Sequence, residues 1–188
     1  MEIAHIETVH RGWARYLIAT FRLPDGTTIR REIEDHGTAA GVLAFDAERR
    51  TAILVRQFRA PVFFATGQEE TLEAVAGTLE EPDPASGARR EAMEEAGLRL
   101  DALEHVVTGW AMPGISTERM DLYLAPYREA DRVGAGGGLA EEHEGITVVE
   151  MGLGELAHMA DTGQLTDFKT LILVQTLRLR RPELFTTR

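Results

Sequence analysis

The 188-residue sequence contains no cysteine, few aromatic residues and fewer cationic than anionic side chains. Without cysteine, the chain can form neither a disulfide framework nor a thiol active site, and this composition fits the cytoplasm. Lysine and arginine total 20 against 31 aspartate and glutamate residues, so the formal net charge is −11. Binding to a nucleic-acid backbone requires a basic surface, and the charge balance therefore argues against a nucleic-acid partner.

Long apolar runs are also missing. The amino-terminal residues lack the apolar core of a signal peptide, and no run approaches the roughly 20 residues that span a bilayer. We therefore predict a cytoplasmic protein without a membrane partner. The hydrophobic fraction of 44% is ordinary for a globular protein. The length suffices for one domain, or for one domain with a small appendage.

A helix is predicted in the middle of the chain. Asp83 is a favourable N-cap, and Pro84 suits the first helical position. Gly97 can adopt the left-handed conformation that ends a helix. These signals predict a helix over Pro84–Ala96. One side of it carries small residues that can pack closely on a sheet, namely Ala85, Ala88, Ala92 and Ala96.

Another face of this helix carries three carboxylates. Glu91, Glu94 and Glu95 are spaced at i, i+3 and i+4, so they lie on one side. Such an acidic cluster, taken alone, is usually a solvated helix face. Like charges at this spacing repel one another by roughly a few tenths of a kcal/mol per pair, and a bound cation would offset that cost. Mg²⁺, which takes one or two carboxylates together with substrate phosphate oxygens, is the obvious candidate.

Residues 77–98, here called the signature segment, resemble the motif of the Nudix hydrolases, Gly-x5-Glu-x7-Arg-Glu-U-x-Glu-Glu-x-Gly-U, where U is a bulky aliphatic residue. The spacing between Gly77 and Arg90 is one residue shorter than in the motif, and the upstream glutamate has no exact counterpart among Glu80, Glu81 and Asp83. We interpret Asp83 as a helix cap. The matching residues are Gly77, Arg90, Glu91, Glu94, Glu95, Gly97 and Leu98, while Ala92 is smaller than the motif requires.

Most of the chain resembles one branch of that family, the nucleoside-diphosphate-sugar pyrophosphatases. Residues 72–77 resemble the strand that enters the motif, residues 112–119 the substrate loop and residues 138–146 the acidic loop of bacterial ADP-ribose pyrophosphatases. The amino-terminal strands resemble the dimerising sheet of these enzymes. The resemblance implies a small-molecule nucleotide-sugar substrate and a homodimer formed through that sheet.

The resemblance also implies roles for individual residues. The carbonyl oxygen of Ala76 and the carboxylates of Glu91 and Glu95 would hold Mg²⁺, or alternatively Mn²⁺, with Glu94 beside them. Arg90 would orient these carboxylates through charge-assisted hydrogen bonds.

The general base and the substrate contacts lie outside the signature segment. By resemblance, Glu142 would accept the proton of the attacking water, with Glu144 as the second candidate. An acidic loop flanked by glycine is otherwise only an exposed loop. The predicted substrate-binding residues are Arg56, Arg59, Pro113 and Glu118. Arg59 resembles a phosphate-binding arginine of the branch, whereas a lone arginine at a strand end is otherwise more often a surface charge.

The alternating pattern predicts an α/β fold with a mixed sheet between helices, and the resemblance implies a Nudix-type α/β/α sandwich. Residues 1–37 form a small antiparallel sheet with strands near 2–9, 13–23 and 27–33, and such a sheet has little core of its own. Residues 38–188 are expected to form the Nudix domain. Its predicted strands lie near 39–45, 52–57, 70–75, 106–109, 120–125 and 146–150. Two later helices are predicted near 153–162 and 167–180. In the last helix we predict core packing for Phe168, Leu171, Ile172, Val174, Gln175 and Leu179.

These expectations together predict Mg²⁺-dependent hydrolysis of the pyrophosphate bond of a nucleoside diphosphate sugar. ADP-ribose, cleaved to AMP and ribose 5-phosphate, is the first choice because of the acidic loop and the position of Pro113. GDP-mannose is the alternative, because the shortened signature segment, residues 56–61, the glycines at 136–138 and Lys169-Thr170 resemble GDP-mannose hydrolases. A hypothesis of another class is a Nudix module that binds a nucleotide sugar without turnover. The three intact carboxylates argue against it.

Overall fold

The computed structural model of the protein describes residues 1–138 and 145–186. The chain divides into two compact units. One comprises Met1–Ala39 and Thr108–Met120, and the other comprises Ala40–Val107 and Asp121–Arg188. Strands and helices occur together, so the predicted α/β class is confirmed. No helix in the described part is both long and apolar enough to cross a membrane.

The first unit contains the predicted antiparallel sheet of three strands. They are β1 (Glu2–Arg11), β2 (Arg15–Arg22) and β3 (Thr28–Asp35), in the order β1-β2-β3. The turn between β2 and β3 follows from its sequence, because Gly26 has a φ of 85° and Asp25 accepts a hydrogen bond from the amide of Thr27 at 2.9 Å. All ten residues of β1 are exposed.

A seven-stranded sheet forms the centre of the remaining fold. Its strands lie in the order β10-β5-β4-β9-β8, with β6 alongside β5 and β7 alongside β4. Within the described residues, four α-helices accompany it: α1 (Ala60–Thr66), α2 (Pro84–Ala96), α3 (Leu153–Asp161) and α4 (Phe168–Arg180). The strands are β4 (Thr38–Asp46), β5 (Thr51–Gln57), β6 (Thr71–Glu73), β7 (Val75–Thr78), β8 (Glu104–Trp110), β9 (Arg119–Pro126) and β10 (Thr147–Gly152).

The core extends over both faces of this sheet. On β5, Ile53 and Val55 belong to the apolar cluster that includes the small side of α2. The alternate residue Leu54 is fully buried as well. Because neighbouring residues of a strand point to opposite faces, both faces of β5 are covered. The predicted packing of the α2 alanines is confirmed for Ala88, Ala92 and Ala96, which are buried, and for Ala85, which is partly buried.

The structure corrects the single strand predicted near 70–75. That stretch forms two short strands, β6 and β7, with a break at Ala74. The amide of Ala74 donates to Oγ1 of Thr170 at 2.6 Å, so it does not pair within the sheet. Helix α1 was missed by the sequence prediction. None of its residues is buried, and it therefore has no apolar periodicity to detect.

The predicted core face of α4 was also wrong in part. Phe168, Ile172 and Leu179 are exposed, whereas Val174 is buried as expected. Apolar side chains occur on several sides of this helix, and its periodicity alone does not select the inner face. The orientation agrees instead with the buried bond from Ala74 to Thr170, and the buried residues are Thr170, Leu173, Val174 and Leu177.

Candidate active site

Helix α2 begins and ends where its sequence predicts. The Asp83 carboxylate accepts hydrogen bonds from the amides of Ala85 at 3.3 Å and Ser86 at 3.1 Å. Gly97 has a φ of 64°, and its amide donates to the carbonyl of Met93 at 3.1 Å. The interpretation of Asp83 as a helix cap is confirmed.

Two of the three predicted carboxylates are buried against the backbone of β7. Glu91 is 8% exposed and Glu95 is 2% exposed. Oε2 of Glu95 accepts a hydrogen bond from the amide of Ala76 at 3.3 Å. The Glu91 carboxylate occupies the space that a Cβ atom would need at Gly77. Glycine at this position therefore allows α2 to bring both carboxylates onto one stretch of backbone.

Arg90 joins the acidic residues of the signature segment. Its Nη1 lies 2.8 Å from Oε1 of Glu91 and 2.8 Å from Oε2 of Glu94. Nη2 donates to the carbonyl of Thr78 at 2.9 Å, and Nε donates to Oε1 of Glu81 at 2.7 Å. Burial alone would lower the pKa of Arg90, but the Glu81 hydrogen bond and the nearby carboxylates raise it well above its usual value. The guanidinium is thus positively charged and is held in place by these carboxylates and the Thr78 carbonyl.

Glu81 is a site residue that the sequence reasoning did not assign. It forms an ion pair with Arg90, with Oε1 of Glu81 at 2.7 Å from Nε. The spacing between glutamate and arginine in the motif would place the glutamate at Pro82, next to Glu81. That proximity was the signal in the sequence that could have identified Glu81. The hydrogen bond from Arg90 lowers the pKa of Glu81. Its Oε2 is buried and has no hydrogen-bond partner within the described ranges.

The glycine-rich segment at 134–138 packs on the carboxyl end of α2. The amide of Gly137 donates to the carbonyl of Glu95 at 2.8 Å, and the amide of Gly138 donates to that of Glu94 at 3.1 Å. Gly136 has a φ of 67°, and a Cβ atom there would overlap the Glu95 carbonyl oxygen. These contacts fix the backbone of two predicted catalytic and metal-binding residues.

The predicted general bases follow directly after this glycine-rich segment in the sequence. Glu142 and Glu144 lie outside the described residues, and their assignment stays a prediction. The chain enters the predicted acidic loop from Gly138, whose amide is bonded to α2.

The oxygen atoms at this site suit a hard divalent cation. Among the described residues, no group of three or more histidine, cysteine, aspartate or glutamate side chains could hold a metal ion. Mg²⁺ does not require such a cage, because it retains water and shares substrate oxygens. Two buried carboxylates, Glu91 and Glu95, beside the Ala76 backbone provide the kind of ligands that it takes.

Arg59, the predicted phosphate ligand, belongs to a second charged cluster. Its Nε and Nη2 each lie 2.9 Å from a carboxylate oxygen of Glu73. Lys169 also hydrogen-bonds to Glu73 and lies 3.1 Å from Oδ2 of Asp167. Burial would raise the pKa of Glu73, but the two cations lower it to about 2. Burial would lower the pKa of Arg59, yet Glu73 and the charge of Glu95 raise it.

Arg56, another predicted substrate-binding residue, lies on the surface of a strand. It lies on β5, opposite Thr147 of β10 and Leu72 of β6, and its side chain is exposed. The structure thus places it on the same strand that leads to Arg59, at the solvent-facing surface.

Glu118 and Pro113 lie in the first unit, in a segment that runs along the end of β3. The amide of Thr117 donates to the carbonyl of Glu34 at 2.9 Å. Oε1 of Glu118 lies 3.4 Å from Nε2 of His36. Pro113 is exposed in the turn that precedes these residues.

His36 is a second residue that sequence reasoning did not single out. Its ring is hydrogen-bonded to Glu34 and stacks on Trp13 with 4.4 Å between ring centroids. Burial would lower the pKa of His36, but the carboxylates of Glu34 and Glu118 raise it. The predicted substrate residue Glu118 therefore lies beside a histidine whose pKa is raised.

Comparisons with known proteins identify relatives along most of the chain. The NUDIX domain family matches residues 35–168. The GDP-mannose pyrophosphatase of Cronobacter sakazakii is 38% identical over 159 residues, which cover 83% of this chain and 82% of that protein. A GDP-mannose pyrophosphatase of Escherichia coli is 34% identical over 159 residues, or 82% of each chain. The crystal structure of an ADP compounds hydrolase matches 96% of this chain and 95% of its own with a TM-score of 0.71, and at 18% identity it shows a shared fold.

Proposed function

The chain belongs to the Nudix hydrolase family, and on this premise we propose that it hydrolyses the pyrophosphate bond of a nucleoside diphosphate sugar. The products would be a nucleoside monophosphate and a sugar phosphate. The observation that carries this proposal is the buried pair of Glu91 and Glu95, packed against the Ala76–Gly77 backbone and joined to Arg90.

GDP-mannose is the first candidate substrate. The two relatives described above are GDP-mannose pyrophosphatases, and each aligns over more than four fifths of its length. This reverses the order reached from the sequence, where ADP-ribose came first. ADP-ribose stays the second candidate because of the position of Pro113 relative to Gly97.

We propose Mg²⁺ as the cation, with Mn²⁺ as the alternative. The carbonyl of Ala76 and the carboxylates of Glu91 and Glu95 would hold it, with Glu94 turned to Arg90 at 2.8 Å. A divalent cation, when bound, neutralises charge on pyrophosphate oxygens and lowers the pKa of a nearby water molecule. Arg90 keeps the Glu91 carboxylate in place for that role.

Proton transfer in the proposed reaction is assigned to the acidic loop. Glu142, or Glu144 in its place, would accept a proton from water as the water oxygen bonds to one phosphorus atom. The bond from that phosphorus to the bridging oxygen breaks, and its electron pair leaves with the other phosphate. Arg59 would bind a phosphate oxygen, and Arg56, Glu118 and Pro113 remain proposed substrate contacts.

We also propose a homodimer formed through the amino-terminal sheet. β1 is an edge strand of ten exposed residues, and its apolar side chains include Ile3, Ile6 and Val9, each at least half exposed. A long exposed edge of this kind is a template for pairing with another chain. Light scattering should give twice the monomer mass, and a monomer would contradict this part of the proposal.

The test of the reaction is a substrate panel with purified protein and Mg²⁺. GDP-mannose, ADP-ribose, ADP-glucose and a dinucleotide polyphosphate are compared by the release of nucleoside monophosphate. We expect hydrolysis of GDP-mannose above the others, and Glu95→Gln should lower kcat far more than it lowers affinity. Glu69→Gln, at an exposed position, serves as the control. If one of these compounds binds but none is cleaved, the protein is instead a binding module without turnover.

A further inference from the structure

Glu73 is a buried carboxylate that the proposed reaction does not yet use. It lies at the end of β6, three residues before Ala76 in the sequence, and its side chain is 5% exposed. Its oxygens accept hydrogen bonds from Arg59, Lys169 and the hydroxyl of Thr71. A buried carboxylate surrounded by donors in this way is fixed in position, because any rotation would leave donors unpaired.

The pairing with Glu73 leaves one edge of Arg59 available. Glu73 engages Nε and Nη2, whereas no hydrogen bond from Nη1 is found within residues 1–138 and 145–186. The Arg59 side chain is 40% exposed although its partner is buried. The guanidinium is planar and presents its donors in a fixed fork. The two hydrogen bonds from Nε and Nη2 to Glu73 therefore fix the direction in which Nη1 points.

The cluster around Glu73 connects the end of β6 with the first turn of α4. Lys169 lies in the first turn of α4 and bridges Glu73 to Asp167, the N-cap of that helix. The cluster is formally neutral, because the positive charges of Arg59 and Lys169 balance the negative charges of Glu73 and Asp167. Glu73 lies three residues before Ala76, whose amide donates to the Glu95 carboxylate. Burial would lower the pKa of Arg59, but Glu73 and the charge of Glu95 raise it. An incoming diphosphate would meet an oriented arginine there.

We propose that Glu73 is a positioning residue for substrate binding, which holds Arg59 so that Nη1 contacts a phosphate oxygen of the nucleotide sugar. The inference rests on the proposed function, because it assumes a diphosphate substrate. Preorganisation of a long side chain avoids the cost of ordering it during binding. Loss of Glu73 should therefore weaken substrate binding and leave the chemical step largely unchanged.

The experiment measures kcat and KM for GDP-mannose, or for ADP-ribose if only that compound is cleaved. Glu73→Gln keeps the size of the side chain but removes its charge, and it should raise KM about tenfold while kcat changes by less than about threefold. Glu69→Gln should leave both constants unchanged. A residue with a merely structural role would lower the amount of folded enzyme without raising KM. An unchanged KM in folded Glu73→Gln protein overturns the proposal.

A double-mutant cycle tests whether Glu73 acts through Arg59. In protein that already carries Arg59→Gln, adding Glu73→Gln should raise KM by less than about twofold. A full further tenfold increase would show an independent effect and refute the positioning role. If Glu73→Gln does not fold, Glu73→Asp, which keeps the charge but is too short to keep both contacts to Arg59, takes its place. It should raise KM about tenfold, and an unchanged KM would again refute the role.

Binding of inorganic pyrophosphate separates this inference from the proposed function. Calorimetry with Mg²⁺ present should show binding to the wild-type protein that is about tenfold weaker in Glu73→Gln and unchanged in Glu69→Gln. If the wild-type protein cleaves no member of the panel, the proposed function fails, and this titration still tests Glu73. Equal affinity in all three proteins overturns the role of Glu73.

Discussion

Replacing Gly77 by alanine tests whether the position of the Glu91 carboxylate limits catalysis. A Cβ atom at this position would overlap the whole carboxylate group of Glu91. The backbone is not the obstacle, because Gly77 is not among the glycines with positive φ. The substitution therefore acts on one side chain, and that side chain is a proposed metal ligand bonded to Arg90.

The expected magnitude follows from that overlap. Ordinary contacts between nonbonded heavy atoms are about 3.5 Å, so the carboxylate must move by about 1 Å or more to accommodate the methyl group. A displacement of about 1 Å in an active site costs on the order of 100-fold in rate, which corresponds to about 2.7 kcal/mol of transition-state stabilisation. The loss of stability should be smaller, about 1 kcal/mol, because the end of a flexible side chain can move aside.

The assay is the hydrolysis of GDP-mannose as Mg²⁺ is varied. For Gly77→Ala, kcat/KM should fall about 100-fold, and the Mg²⁺ concentration for half-maximal rate should rise. Gly154→Ala is the matched control, because a Cβ atom there meets nothing within 4 Å and the residue is an exposed helical position. It should retain full activity and gain up to about 1 kcal/mol of stability. Wild-type kcat/KM and metal dependence in folded Gly77→Ala protein would refute the reasoning.

Three further predictions concern stability. Asp83→Ala removes the α2 cap and should lower Tm by about a few degrees without changing kcat, whereas a large fall in kcat would make Asp83 a site residue. The pKa of Glu73 is lowered from 4.5 to about 2, so its stabilisation is present above pH 4.5 and lost towards pH 2. Urea unfolding should show a difference of about 3 kcal/mol between wild type and Glu73→Gln that disappears over this range, and a constant difference would contradict it. The pKa of His36 is raised above 6.5, so its stabilisation is complete below pH 6.5 and lost as the pH rises through the higher value. Thermal unfolding of wild type and His36→Gln should therefore converge at alkaline pH, and divergence there would contradict the assignment.

Much of the signature segment could be predicted because its signals are local. Asp83, Pro84 and Gly97 act within a few residues of the helix ends that they define, and the structure contains α2 with the predicted bounds. The carboxylates follow from helical spacing in the same way. Helix α1 has similar end signals, with Pro61 in its first turn and Gly67 in the left-handed conformation at its end, but it is only seven residues long and buries none of them, so no apolar periodicity marks it.

The charged cluster around Glu73 could not be derived from sequence spacing. Glu73 is 14 residues from Arg59 and 96 residues from Lys169 along the chain. Only the folded sheet and α4 bring these charges together. The inner face of α4 depended likewise on the bond between Ala74 and Thr170, which no periodicity of the helix reveals.

The pairing of Arg90 with Glu81 bears on how related chains are recognised. A carboxylate on a loop can reach the guanidinium from more than one sequence position, so a deletion in the loop need not break the ion pair. Search patterns that fix the number of residues between the first glycine and the arginine would discard such chains. A pattern that accepts an acidic residue anywhere within reach of the arginine would retain them, and it would separate shortened enzymes from those in which the site has been lost.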